Sequence, residues 1–236
     1  MRSCANMAQI LPRGRFPNDG MLASVQSTGQ AANTASGVQC MESYIQGKKW
    51  DIILINFGIH GEHGVVVSRS ARSSREWRCV ADTWQHQYVP PKQYGANLQK
   101  IFEMGKAGLA PGGKLIWSST TPIASNCTGC GEGTTTAHVV EYNAIALEVF
   151  HTVVAGTAIG VVNDLHAEVN RACGVNFTVC ALQCYNNEHP SIPGAAFLGI
   201  KTAQTIAPFL NPREKSMVPA GGVRWTTMRT VVDIKA

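Results

Sequence analysis

WDIILINFGIHG, residues 50–61, decides how the rest of the chain is read. Ile52, Ile53, Leu54 and Ile55 form an unbroken, mostly β-branched run, the pattern of a strand buried on both faces of a parallel sheet. The run breaks at Asn56-Phe57-Gly58-Ile59-His60-Gly61, where polar side chains alternate with glycines that permit a tight turn and a close backbone approach to a ligand. In an open α/β sheet, ligands lie outside the carboxyl ends of the strands, so Asn56 and His60 stand where chemistry is expected.

Upstream of this strand, Ser27 to Thr34 is small and polar and reads as a loop, preceded by a short strand over residues 22–25. Val38, Met41, Tyr44 and Ile45 then share one face at helical spacing. Downstream, residues 62–91 carry charged, serine-rich and aromatic residues in no period, a long loop of the kind that carries function. Tyr94, Leu98, Ile101, Gly105 and Leu109 predict a helix that stops at Pro111-Gly112-Gly113, followed by a strand over residues 114–119. A Cys- and Gly-rich loop, a helix capped by Thr134 to Thr136, a strand over residues 158–162 and a short helix around Val169 come next. Pro193 opens a last helix. Helices and strands alternate, which predicts an α/β fold with a parallel sheet. Residues 1–20 read as an irregular segment, 21–210 as the one domain, and 211–236 as an extension with a strand-like stretch over residues 229–234 that has no evident place.

A chain of 236 residues that is 44% hydrophobic and 15% charged suits a single globular core, and its apolar runs fall short of a membrane span. The charge of +5 is modest; the densest basic group, Arg69, Arg72 and Arg75, lies in a serine-rich loop without interleaved aromatics, which argues against a nucleic-acid surface. Neither a dinucleotide fingerprint nor a phosphate-cradling loop is present, and no cofactor is expected.

The 8 cysteines are accompanied by two glycosylation sequons, Asn126-Cys127-Thr128 and Asn176-Phe177-Thr178. Both features point to a secreted protein, but the first 20 residues hold no apolar segment of the signal type, which leaves two expectations: an intracellular protein with free cysteines, or a sequence that has lost its natural beginning. Cys127 and Cys130 lack a second metal-binding pair at suitable spacing and read as a disulfide-closed loop. His60, Glu62, His63 and His86 are a weaker metal reading, since their spacing puts no two histidines on one helical face.

Polar groups gather at three exits: Asn56 with His60, Asp164 with His166, and Asn187 to His189 before the last helix. Ester hydrolysis by a side-chain nucleophile needs a hydroxyl or thiol, a histidine base, a group that orients it, and donors for the oxyanion. His189, stiffened by Pro190, is the natural base.

Five ordered pieces, WDIILINFGIHG, GGKLIWSSTTPI, EYNAIA, VVNDLHAEV and NNEHPSIPGAAFL, together resemble the SGNH hydrolases, the GDSL-type lipases and esterases. The resemblance spans residues 29–210 and implies a three-layer α/β/α sandwich with a flavodoxin-like parallel sheet of about five strands. It implies a serine hydrolase of lipid or acetylated-sugar esters. On this resemblance His189 matches the catalytic histidine, Gly29 the glycine of the oxyanion hole, and His60 the usual asparagine donor, with Asn56 a further donor.

The family's Gly-Asp-Ser nucleophile belongs to a first strand upstream of Gly29, and that tripeptide does not occur. Ser24 and Ser27 are the nearest serines, yet neither follows a buried strand through a Gly-Asp turn, so the nucleophile is unidentified. Leader and nucleophile would both precede the matching region, the expectation for a secreted protein whose first strand is lost or replaced. The family's catalytic Asp position holds Asn186, which orients an imidazole without stabilising its charge. Glu188 and Asp164 are the substitutes; Glu188 diverges from its neighbour His189 on an extended loop, and Asp164 lies at a strand exit. The rival reading is a catalytically dead protein of this fold that binds a glycan or lipid.

Overall fold

The structure is a computed structural model that describes residues 8–10, 25–27, 33–45, 47–58, 89–128, 130, 135–210 and 233–235. The elements are β1 (Ala8–Ile10), β2 (Val25–Ser27), α1 (Thr34–Ile45), β3 (Trp50–Asn56), α2 (Pro91–Ala107), β4 (Leu109–Ser118), α3 (Thr136–Val154), β5 (Gly160–Asn163), α4 (Leu165–Cys173), α5 (Ile192–Ile206) and β6 (Asp233–Lys235), with a 3-10 turn at Ala207–Phe209 after α5. β1 and β2 form a separate antiparallel ribbon. The main sheet runs β5-β4-β3-β6 and every pairing in it is parallel. The chain is thus α/β, with a parallel sheet flanked by helices.

The aliphatic run of β3 is central, as its composition predicts, with β4 on one side and β6 on the other. Because successive side chains of a strand alternate, Ile53, Ile55 and Phe57 enter one core and Leu54 the other. The first face carries α1, α2 and α3: Met41, Tyr44, Leu98, Ile101, Phe102, Tyr142, Ala146 and Phe150 are all buried against it with Leu115 and Trp117. Among the described residues the opposite face holds a smaller cluster, Ile206 against Leu54 and Ile116 with Ile52, Val161 and Leu210 packed around them. Burial of one such side chain stabilises by about 1.5–3 kcal/mol, so among the described residues the α1–α3 face contributes most of the hydrophobic stabilisation.

Local signals explain the element ends. Thr135 caps α3 by accepting from the His138 backbone N–H, and Ser191 caps α5 by accepting from Gly194. Pro193 sits in the first turn of α5, where its missing donor is not needed. One expectation is corrected: Pro111-Gly112-Gly113 does not stop the helix. α2 ends at Ala107, where the Gly108 N–H bonds Met104 O and Gly105 O, and Leu109 already belongs to β4. Opposite Trp50 and Ile52 stand Leu109 and Lys114, so the Pro-Gly-Gly triplet is a bulge in the strand. Gly113 is required there, since a Cβ would lie 2.9 Å from Trp50 O and 3.0 Å from Ala110 O.

Two smaller differences follow. The expected strand over residues 22–25 is described only from Val25 on, as β2, which includes Ser27. The strand expected from Ala158 begins at Gly160, the first residue paired with β4. The unplaced C-terminal stretch ends in β6, which lies parallel to β3 with Ile234 opposite Ile55. Gly29, His60, Glu62, His63, His86 and Ser24 lie outside the described residues.

Cys127–Cys130 and Cys173–Cys180 are disulfides, with Cα–Cα distances of 5.6 and 5.5 Å, as expected for the first pair. Cys40 and Cys184 are disulfide-bonded as well. Such bonds belong to oxidising environments. No described helix is long and apolar enough to cross a membrane.

Candidate functional site

The carboxyl ends of β3, β4 and β5 are tied into one rim by side-chain amides and hydroxyls. Asn56 donates through Nδ2 to Ser118 O at 2.8 Å, so the candidate oxyanion donor is engaged with the neighbouring strand. Gly58 lies so close to Thr120 that a Cβ would fall 1.8 Å from Oγ1, which explains the glycine at this exit. Thr120 is itself clamped by Asn143 of α3: its N–H donates to Oδ1 at 2.8 Å, and Nδ2 donates back to its carbonyl at 2.9 Å. Tyr94 fixes the same exit from the other side, donating to Phe57 O at 2.6 Å.

At the end of β5, the buried Asn163 donates to Ser118 Oγ at 2.9 Å and Thr202 Oγ1 at 3.1 Å, and accepts from Thr205 Oγ1 at 3.0 Å. It pins β4 and β5 to α5. Asp164 follows and caps α4, its Oδ1 accepting from the Ala167 N–H at 3.0 Å and from Ser119 Oγ at 2.9 Å. Ser119 Oγ in turn accepts from the His166 N–H at 2.8 Å. No described hydrogen bond links Asp164 to His189; the aspartate is occupied as a helix cap, a structural role. The His166 ring lies against Asn170, and burial holds it below its ordinary pKa of 6.5 against the opposing pull of Asp164.

His189 lies half-buried in the loop between α4 and α5. The loop is docked onto the residues that leave β4 at its carboxyl end: Ala124 N–H donates to Gln183 Oε1 at 2.8 Å, and Thr128 N–H and Oγ1 donate to Asn186 Oδ1 at 2.6 and 2.9 Å. Within it, Cys184 N–H bonds His189 O at 2.9 Å. Thr121, Pro122, Val169, Gln183, Glu188 and Pro190 line a cavity of about 10 Å³ beneath the loop, and Gln183 Nε2 and Glu188 Oε2 are both buried without a hydrogen-bond partner among the described residues.

The imidazole is held by Asn187, not Asn186. Asn187 is 5% exposed, and its Oδ1 meets His189 Nδ1 at 2.5 Å and accepts from the His189 backbone N–H at 2.8 Å. A carboxamide oxygen only accepts, so the ring proton is assigned to Nδ1 and the lone pair to Nε2. That is the tautomer a general base needs. The position expected to orient the ring, Asn186, is instead exposed, turned to Thr128 by a left-handed backbone with φ of 51°. Glu188 Oε2, likewise expected as a substitute, has no hydrogen-bond partner among the described residues, the ring included.

No protein-family model matches this chain, and no curated protein does. Sequence reasoning names His189 and places Asn187 in the same polar exit without giving it a role, and it overlooks Ser119, Thr120 and Asn143. The signal for Asn143 was the tyrosine-asparagine pair within a helical stripe, a polar residue on a face otherwise apolar. Among the described residues no hydroxyl reaches the His189 ring, and no cluster of three His, Cys, Asp or Glu side chains could hold a metal ion.

Proposed function

We propose that this chain is an ester hydrolase of the SGNH type, acting on a lipid or acetylated-sugar ester in an oxidising, extracytoplasmic compartment. The reading is carried by one observation: a histidine in a docked loop at the strand-exit rim of a parallel sheet, with Nδ1 held by a buried carboxamide and Nε2 left as acceptor. In this role His189 takes the proton of the attacking hydroxyl and returns it to the leaving alcohol. Asn187 fixes the ring's tautomer and direction, as an asparagine does in cysteine-histidine-asparagine sites. Being neutral, it stabilises the imidazolium less than a carboxylate would. Gly29, Asn56 and His60 remain the candidate oxyanion donors, and the nucleophile is the unassigned part.

A second reading has its own support. The neutral partner of His189 and the lack of a described hydroxyl on its ring suit a protein that keeps the fold to bind a glycan or lipid. Turnover of a short p-nitrophenyl ester by the full chain, compared with His189→Ala, separates the two. Hydrolysis that falls at least about 100-fold in the variant supports catalysis, the scale of a general base. Turnover equal in both, or none in either, supports binding alone.

A further inference from the structure

The two sequons, far apart in sequence, form one surface. Ser125, next to Asn126, donates its backbone N–H to Phe177 O at 2.9 Å and its Oγ to Asn176 O at 3.2 Å. Asn126 and Asn176 are both exposed. Asn176 adopts a φ of 57° inside the loop closed by Cys173–Cys180, which turns Phe177 inward against Ala124 and Val169 and leaves its neighbours outside. Those neighbours are apolar: Val175 is 75% exposed and Val179 71%. Two bare aliphatic side chains flanking an acceptor asparagine, on a loop locked by a disulfide, are what the apolar face of a sugar ring would cover.

We infer that Asn176 and Asn126 both carry N-linked oligosaccharides, and that the first sugar on Asn176 lies over Val175 and Val179. This rests on the oxidising-compartment part of the functional reading and not on ester hydrolysis. The donor is a lipid-diphosphate-linked oligosaccharide. The asparagine amide nitrogen forms a bond to the anomeric carbon, the bond from that carbon to the diphosphate oxygen breaks, the lipid diphosphate leaves, and the amide gives up one proton. The acceptor's threonine hydroxyl must be free for this. In the folded chain Thr128 Oγ1 donates to Asn186, and Cys127 is held in its disulfide. Asn126 is therefore modified before its loop docks, in competition with closure of Cys127–Cys130, whereas among the described residues no such hydrogen bond engages Thr178.

The test is expression of the full chain behind a cleavable leader in a eukaryotic secretory pathway, with leader-cleaved chains recovered from cells and medium for glycopeptide mass spectrometry. Asn176 should be modified nearly completely and Asn126 in part, and Cys127→Ser with Cys130→Ser should raise occupancy at Asn126. Asn176→Gln and Asn126→Gln should each remove one glycan. Enzymatic deglycosylation of the native protein should increase binding of an apolar fluorescent dye, and Val175→Ser with Val179→Ser should abolish that increase. Leader-cleaved, disulfide-bonded chain without sugar on either asparagine overturns the assignment. Unchanged dye binding after deglycosylation overturns the covering of the valines. Leader-cleaved chain without disulfides instead overturns the compartment reading, and ester turnover plays no part in any of these outcomes.

Discussion

Replacing Asn187 with alanine tests the assignment of the imidazole's partner most directly. Its Oδ1 accepts from the backbone N–H and from the ring of His189, at 2.8 and 2.5 Å, in a site where the residue is only 5% exposed. Each net hydrogen bond stabilises by about 0.5–1.5 kcal/mol, and a buried donor left unpaired adds its own penalty, so the loss should be about 2–3 kcal/mol. The neighbouring control is Asn186→Gly. Glycine accepts the left-handed backbone at that position without strain, and the lost contacts to Thr128 are exposed, so the change should stay within about 1 kcal/mol. Urea denaturation measures both. Long-range proton–nitrogen correlation of the His189 ring, at a pH where imidazoles are neutral, should show Nδ1 protonated and Nε2 bare in the parent chain. Both tautomers should appear in Asn187→Ala, with no change in Asn186→Gly. If Asn186→Gly disturbs the ring and Asn187→Ala leaves it alone, the assignment of the partner is wrong.

Three other substitutions address the frame around the site. Gly58→Ala drives a methyl into Thr120, whose backbone Asn143 holds in place, and should cost about 1–3 kcal/mol in thermal or urea unfolding; a loss under about 0.5 kcal/mol would contradict the close approach. His166, whose pKa burial depresses below 6.5, binds its proton more weakly folded than unfolded, so its contribution to stability is present above pH 6.5 and is lost as pH falls through the folded value. Unfolding measured across that window should show declining stability on acidification, and His166→Gln should flatten the slope. Removing the Cys173–Cys180 disulfide with paired serines frees a short loop in the unfolded chain and should lower stability by about 2 kcal/mol on a loop-closure estimate.

The sheet was legible where one physical signal dominated. The β-branched run of β3, the stripe of α2, the threonine cap before α3 and Pro193 in the first turn of α5 each express a local preference that packing reinforces. Pro111-Gly112-Gly113 misled because a turn triplet after an apolar helix is a strong stop signal, while a bulge that lengthens a strand has the same composition. β6 could not be placed because its pairing with β3 depends on a partner far away in sequence. The site was half legible. Asn186 and Asn187 are the same residue type side by side, and only the left-handed backbone at Asn186 decides which amide turns inward to the ring. Spacing from His189 could not convey that.

The unequal coverage of the two sheet faces bears on where the molecule should loosen first. Helices α1–α3 interlock through many aromatic and aliphatic side chains, whereas α5 holds its face through Ile206 and the threonines on Asn163. Amide protons along α5 should therefore exchange with solvent through smaller excursions than those of β3 and β4. Because α5 begins just after His189, the proposed base adjoins an element held by fewer of the described contacts, and its alignment can be relaxed without melting the strands beneath it.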